Sequence, residues 1–119
     1  MFRMDKEAFD ELHVKYGHRM ARLDTNYRQA VPSEKRMAIF LSYLAHGHKQ
    51  QQLAILWDVS QPVVSRILAD GRAVFRNYMV DEEIHAPSGA DVDDIAAGFE
   101  ALAGMPGCVG AVDGTFFHI

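Results

Sequence analysis

The sequence predicts a mainly α-helical protein: a helical bundle that contains a helix-turn-helix, followed by a first β-strand or hairpin. Three observations predict this fold. Apolar residues recur every three or four positions up to residue 103, and capping and breaking residues divide that stretch into helices. The run CVGAV at 108 to 112 is small and β-branched, as strands are. We expect the bundle over 1 to 80, an acidic loop and helix over 81 to 104, and the strand over 105 to 119.

The first two helices have clear start and stop signals. Asp5 is expected to cap the first helix, with Met4 and Phe9 as a hydrophobic staple on either side of it. The second helix is expected to begin with Ser33 as its N-cap and to end at Gly47. Because its central run MAIFLSYLA is apolar almost all round, we expect this helix in the middle of the bundle.

The following segments predict a helix-turn-helix at 50 to 78. QQQLAILW is a short amphipathic helix, DVS a tight turn, and QPVVSRILADGRAVFRNYM a longer helix that Ser60 caps, with Pro62 in its first turn. Ala54 supplies the small residue where the two helices touch, and Asp58 occupies a turn position where such motifs often have glycine. This arrangement serves DNA binders because the first helix braces the second, whose exposed face enters the major groove.

Glycine, proline and helix-capping residues also divide the last third of the chain into segments. DEEIHAPSGA at 81 to 90 is expected to form a loop. Asp91 is expected to cap a further helix, which Gly104 and Pro106 end. The segment after Pro106 then suits a buried strand better than a helix.

Length and composition limit the class of protein. The 119 residues fit one domain, and an apolar content of 49% excludes disorder as a global state. Cys108 is the only cysteine, which excludes an internal disulfide and is compatible with a reducing compartment. The longest apolar stretch is too short to span a membrane, and the start MFRMDKEAF lacks the apolar core of a signal peptide. We therefore expect a soluble, intracellular protein without a membrane partner.

Charge is distributed unevenly along the chain, whose net charge is −4. Residues 33 to 78 carry six basic and three acidic residues, whereas residues 81 to 119 carry eight acidic residues and no Lys or Arg. The first segment is suited to contact with nucleic acid, and the second would repel it locally. The two stretches are therefore expected to have different roles.

The candidate DNA-contacting residues have basic, amide or hydroxyl side chains on or beside the outward face of the second helix of the motif: Lys49, Gln61, Ser65, Arg66, Arg72 and Arg76. Gln61 can pair with adenine, Arg66 with guanine or a phosphate, and Ser65 with a base or the backbone. The other three are candidate phosphate contacts. The alternative is a helical hairpin with a solvated charged face, which the spacing does not exclude.

A lone carboxylate, Asp113, lies inside the predicted strand. A buried carboxylate is costly unless it is paired, protonated or bound to a metal. Enzymes that transfer phosphoryl groups with two metal ions use acids in such places. Asp-Gly-Thr is also a strong hairpin-turn signal, and the residues by themselves favour the turn.

Three segments carry a family resemblance: FRMDKEAFDEL at 2 to 12, PSEKRMAIFLSYLAHG at 32 to 47 and, most specific, MPGCVGAVDGT at 105 to 115. They resemble the N-terminal part of Harbinger-type transposases and of the nucleases domesticated from them. The resemblance implies an RNase H-like catalytic domain in which three acids bind Mg²⁺ or Mn²⁺ to cut and join DNA. It makes Asp113 the first catalytic acid and a metal ligand. Where the family often has His after Gly-Thr, this chain has Phe116, with His118 two places on.

The resemblance also implies what the chain lacks. The second and third acids would lie beyond residue 119, so we expect a fragment of a metal-dependent DNA endonuclease that is catalytically incomplete and binds no metal stably by itself. The implied partners are double-stranded DNA and a Myb-like protein, and the implied location is the nucleus, with the cytoplasm as a second location. The alternative function is a non-catalytic helical module for protein interaction or DNA-binding regulation.

Overall fold

The computed structural model of the chain describes residues 3 to 26 and 28 to 116, and these form two units, Met1–Ile84 and His85–Ile119. The prediction of a mainly helical protein is confirmed, and the first unit is a bundle. The first unit contains α1 (Lys6–Met20), α2 (Ser33–His46), α3 (Gln50–Leu56), α4 (Gln61–Val74), a π-helical turn (Phe75–Met79) and α5 (Val80–Glu83). The second unit contains α6 (Gly89–Ala103). None of the helices among the described residues is long and apolar enough to cross a membrane.

The predicted ends of the first helices are largely confirmed. The Asp5 carboxylate accepts a hydrogen bond of 2.8 Å from the Ala8 amide at the start of α1. Gly47 ends α2 in the left-handed conformation, with a φ of 65° that glycine adopts without strain. The prediction that Ser33 is the N-cap of α2 is wrong by one residue. Pro32 holds the cap position, and the Ser33 hydroxyl lies 3.0 Å from His13 Nε2.

Helix α2 lies at the centre of the bundle, as its apolar run predicts. It packs against both α1 and α4, and its residues from Arg36 to Ser42 are all buried. Three α4 side chains, Val64, Ile67 and Leu68, are at most 1% exposed and complete the core from the other side. Burial of this apolar surface is the main stabilising contribution to the unit.

Gly71 sets the distance at which α2 and α4 approach each other. A Cβ atom at this position would lie 2.4 Å from both Cγ and Cδ2 of the Phe40 ring. Phe40 is only 2% exposed and is part of the core, so its ring has no free space to move into. The glycine therefore allows the ring of one helix to lie against the backbone of the other.

We expect Gly71→Ala to lower the free energy of unfolding by about 1–3 kcal/mol, although alanine is the better helix former, because overpacking outweighs propensity. Denaturant titration measures the loss. In a Phe40→Leu background the same substitution should cost less, because the smaller side chain leaves room for the methyl group. An equal cost in both backgrounds would place the strain somewhere other than the ring.

The chain stays helical beyond α4, so the loop predicted at 81 to 90 begins only after Glu83. The π-helical turn Phe75–Met79 connects α4 to α5, which brings Glu82 and Glu83 to α1. There the Tyr16 hydroxyl lies 2.7 Å from Glu82 Oε2 and 3.0 Å from Glu83 Oε1. The hydrogen bond to Glu82 and the burial of the ring raise the pKa of Tyr16, so the hydroxyl stays a donor.

The second unit differs from its prediction before and after its helix. The N-cap of α6 (Gly89–Ala103) is Ser88, three residues before the predicted cap Asp91, and the helix ends as predicted at Gly104, whose φ is 65°. Residues 105 to 116 form neither helix nor strand, and the side chains of Val112 and Phe116 are fully exposed. A strand requires a neighbouring backbone for its hydrogen bonds, and the described part of this unit provides none. The predicted strand stays a prediction.

Candidate nucleic-acid interface

Helices α3 and α4 are held together by side chains that the sequence analysis assigned to this role. Leu53 of α3 and Val64 and Ile67 of α4 are completely buried, with exposures of 0%. Ala54 and Trp57 are half-buried and pack against the same core. The first helix thus supports the second along its inner face.

The connection between α3 and α4 is short and hydrogen-bonded. Asp58 has a φ of 49°, so this residue adopts the left-handed conformation for which glycine is the usual choice. The Val59 amide donates to the Ala54 carbonyl at 3.0 Å and closes the turn. Ser60 holds the N-cap position as predicted, but its hydroxyl makes no capping hydrogen bond with the described residues; its carbonyl accepts from the amides of Val63 and Val64 instead.

The outward face of α4 is exposed along its length. Gln61, Ser65 and Arg72 lie within about 40° of one another around the helix axis, given 3.6 residues per turn. All three are exposed, as is Arg76 in the π-helical turn that follows. Arg66 is also exposed, but it lies about 100–140° from these three residues around the helix axis. Gln61, Ser65 and Arg72 therefore share one side of the exposed surface of α4, and Arg66 lies on the other side.

The charge of this face is positive because Asp70, the one acidic residue of α4, is bound to arginines of other segments. Asp70 Oδ1 accepts a hydrogen bond of 2.6 Å from Arg22 Nη2, and Asp70 Oδ2 accepts from Arg36 Nη2. No described acidic side chain forms an ion pair with Arg66 or Arg72. These two guanidinium groups therefore remain available for an anionic partner.

Lys49 lies at the start of α3, beside the start of α4. It is exposed and lines a shallow groove together with Gln61. Its backbone amide donates to Gln52 Oε1 at 3.0 Å, which fixes the first turn of α3. Arg72 and Arg76 line a second groove further along α4. The six candidate residues thus all belong to the first unit and lie along α4, in the π-helical turn that follows it or at the start of its supporting helix.

Asp113 lies in the second unit, apart from this set in the sequence. Its side chain is exposed, and its Oδ1 accepts a hydrogen bond of 2.8 Å from the Gly114 amide. Within residues 3 to 26 and 28 to 116, no group of three His, Cys, Asp or Glu side chains converges on a common point. A single exposed carboxylate does not match the donor set of a two-metal site. His118 lies outside the described residues.

Three arginine side chains near α4 were missed by the sequence analysis: Arg22, Arg28 and Arg36. Arg36 is 5% exposed, and its burial lowers the pKa of the guanidinium while Asp70 raises it. The sequence around Arg36 indicates that this residue is buried, because Arg36 lies three and four positions before Ile39 and Phe40 on an apolar helical face. A charged residue in such a place requires a buried partner.

Comparison with known proteins does not extend this description. No protein-family model matches the chain, and the searches of the curated proteins and of the solved structures find no match.

Proposed function

We propose that the first unit binds double-stranded DNA through a helix-turn-helix, in which α3 braces α4 and the outward face of α4 enters the major groove. The observation that carries the proposal is the composition of that face: its exposed arginines have no acidic ion-pair partner among the described residues, because Asp70, the one acid of α4, is bound by Arg22 and Arg36. A surface of this kind attracts the phosphates of DNA at any sequence. The left-handed Asp58 and the buried Leu53 and Ile67 support the bracing role of the turn and of α3.

Each exposed side chain has a role in this proposal. Gln61 and Ser65, near the N-terminal end of α4, contact base edges, since this end of a recognition helix reaches deepest into the groove. Arg66 contacts guanine or a phosphate, and Lys49 and Arg72 contact phosphates on either side. Arg76 extends the phosphate contacts beyond the end of α4. These contacts set affinity and orientation, while Gln61 provides the readout of sequence.

The resemblance to Harbinger-type transposases supports a wider proposal. In it, the chain is the DNA-binding part of a metal-dependent endonuclease, and Asp113 is the first of three acids that bind Mg²⁺ or Mn²⁺. Asp113 supplies one of those ligands, and the metal chemistry of the wider proposal requires two further carboxylates. The nuclear location and the Myb-like partner belong to the same wider proposal.

The second unit supports a different candidate function, protein interaction. Residues 81 to 119 carry no Lys or Arg, and α6 contains no buried residue. Ile95 and Phe99 are half-buried at helical spacing, whereas Leu102 is 92% exposed. An acidic helix that keeps apolar side chains near its surface is suited to a basic or apolar protein partner rather than to DNA.

A salt titration tests the DNA-binding proposal. If Lys49, Arg72 and Arg76 neutralise phosphates, the logarithm of affinity for a labelled duplex of mixed sequence should fall with the logarithm of salt with a slope of about −2.7. From about 50 to 200 mM salt this slope corresponds to a loss of about 40-fold. Fluorescence anisotropy measures the binding. Absence of binding at low salt, or an affinity that does not change with salt, would remove the proposal and favour the protein-interaction module.

A further inference from the structure

A cleft of about 320 Å³ lies beside α4 in the first unit. Its walls come from the connector that follows α1 and from α2 and α4, and four of its lining residues are Arg22, Arg28, Arg36 and Arg66. Val63 and Gln29 also line it. We call it the arginine cleft. Its size lies at the lower end of the range of cavities that hold small ligands.

The charge of the arginine cleft is not balanced by the protein. Four guanidinium groups line it, and the carboxylate bound to them is that of Asp70, which accepts hydrogen bonds from Arg22 and Arg36. Among the described residues, Arg28 and Arg66 form no ion pair. Guanidinium groups remain charged at any pH at which the protein is folded. The four guanidinium groups and Asp70 together carry a net charge of +3, and two of the four have no ion-pair partner in the described part of the chain.

Arg36 also has a hydrogen-bond donor without an acceptor. The residue is 5% exposed, its Nη2 donates to Asp70, and its Nε has no hydrogen-bond partner among the described residues. Buried donors in native proteins are nearly always satisfied, and an unsatisfied one requires an explanation. This donor belongs to a residue that lines the arginine cleft.

The connector holds Arg28 in place on the opposite wall of the cleft. Thr25 and Arg28 exchange two backbone hydrogen bonds, of 3.0 and 3.2 Å, across a tight turn. The Asp24 carboxylate accepts a hydrogen bond of 2.6 Å from the amide of Ala30, which also lines the cleft. These hydrogen bonds fix the segment of the connector that carries Arg28.

We propose that the arginine cleft binds a phosphate group. A phosphate has several acceptor oxygens that match the paired donors of guanidinium groups, and its charge offsets the excess in the cleft better than that of a single carboxylate. Arg28 and Arg66 bind its oxygens from the open side, and Arg36 contributes its charge from the wall of the cleft. The phosphate belongs either to the backbone of bound DNA, since Arg66 is an exposed residue of α4, or to a small phosphorylated molecule.

The test uses the full chain and inorganic phosphate, with chloride holding the ionic strength constant. The Nε–H resonance of Arg36, followed by NMR in arginine-labelled protein, should shift and saturate as phosphate is added. Arg28→Gln removes one charge-assisted contact and should weaken phosphate binding about tenfold. Arg3→Gln is the matched control, because Arg3 is exposed and does not line the cleft, and it should bind as the wild type does.

A second arm identifies the source of the phosphate. If Arg28→Gln also weakens the binding of duplex DNA, the group is a backbone phosphate; if DNA affinity is unchanged while phosphate affinity falls, it is a small phosphorylated ligand. A wild-type resonance that does not saturate, or equal phosphate affinity in Arg28→Gln and wild type, overturns the proposal. The phosphate titration contains no DNA, so it gives its answer even if the DNA-binding proposal fails. Thermal unfolding of Arg28→Gln confirms that the exposed substitution leaves the fold intact.

Discussion

Replacing both Arg66 and Arg72 with Glu is expected to lower the affinity for duplex DNA by at least about 100-fold. Each substitution removes a charge-assisted interaction, worth about 1.5–3 kcal/mol, and adds a repulsive charge beside the DNA backbone. The salt dependence should become shallower, by about one unit of slope for each phosphate that the variant no longer neutralises. Both side chains are exposed and no described acid pairs with them, so the fold should not change. Anisotropy with a labelled duplex measures both effects.

The control for this experiment has the same change in net charge. Arg3 and Lys6 are exposed at the start of α1, where they contribute nothing to the outward face of α4. Lys6 makes only an exposed ion pair with Asp10, at 2.9 Å, which adds little to stability. The double variant Arg3→Glu with Lys6→Glu should therefore lose much less affinity. If both pairs of substitutions weaken binding equally, the effect is one of overall charge, and the proposed interface is wrong.

Asp70→Ala is expected to lower the free energy of unfolding by about 3–5 kcal/mol, the cost of leaving a buried charge without its partner. Asp70 accepts hydrogen bonds from two arginines, and the side chain of Arg36 is only 6% exposed. Urea denaturation followed by circular dichroism measures the change. The loss is large relative to the total stability of a small domain, which is about 5–15 kcal/mol.

A second variant separates the buried pair from the rest of the site. When Arg36→Met accompanies Asp70→Leu, no charge remains buried, so most of the stability should return. If the double variant is as unstable as Asp70→Ala, packing around Asp70 rather than the charge of Arg36 is the cause. Arg22, whose side chain is 62% exposed, should contribute little in either variant.

The sequence predicts the local part of this structure well. Pro62 marks the start of α4, and the apolar spacing separates the buried Val64 and Ile67 from the exposed Ser65 and Arg66. The position of Asp58 in a short turn predicts its unusual backbone. Each of these depends on neighbours within a few residues in the chain.

The features that the sequence does not predict depend on distant neighbours. Asp70 meets Arg36 across 34 residues and Arg22 across 48, and no spacing rule connects them. Gly71 is required by the ring of Phe40 on another helix, whereas its own helix would favour alanine. The segment around Asp113 shows the same limit, because a strand is defined by the strand beside it. The role of Asp113 stays a prediction for the same reason.

The π-helical turn Phe75–Met79 makes the length of the chain at this point a structural constraint. Removing one residue from this turn would restore a regular α-helix and rotate everything after it by about 100°. Glu82 and Glu83 would then no longer face the Tyr16 hydroxyl that lies within 3.0 Å of both. Homologous chains should therefore tolerate substitution in this turn more readily than deletion. The extra residue of the π-helical turn sets the rotation of α5, and this rotation keeps the two glutamates of α5 bound to α1.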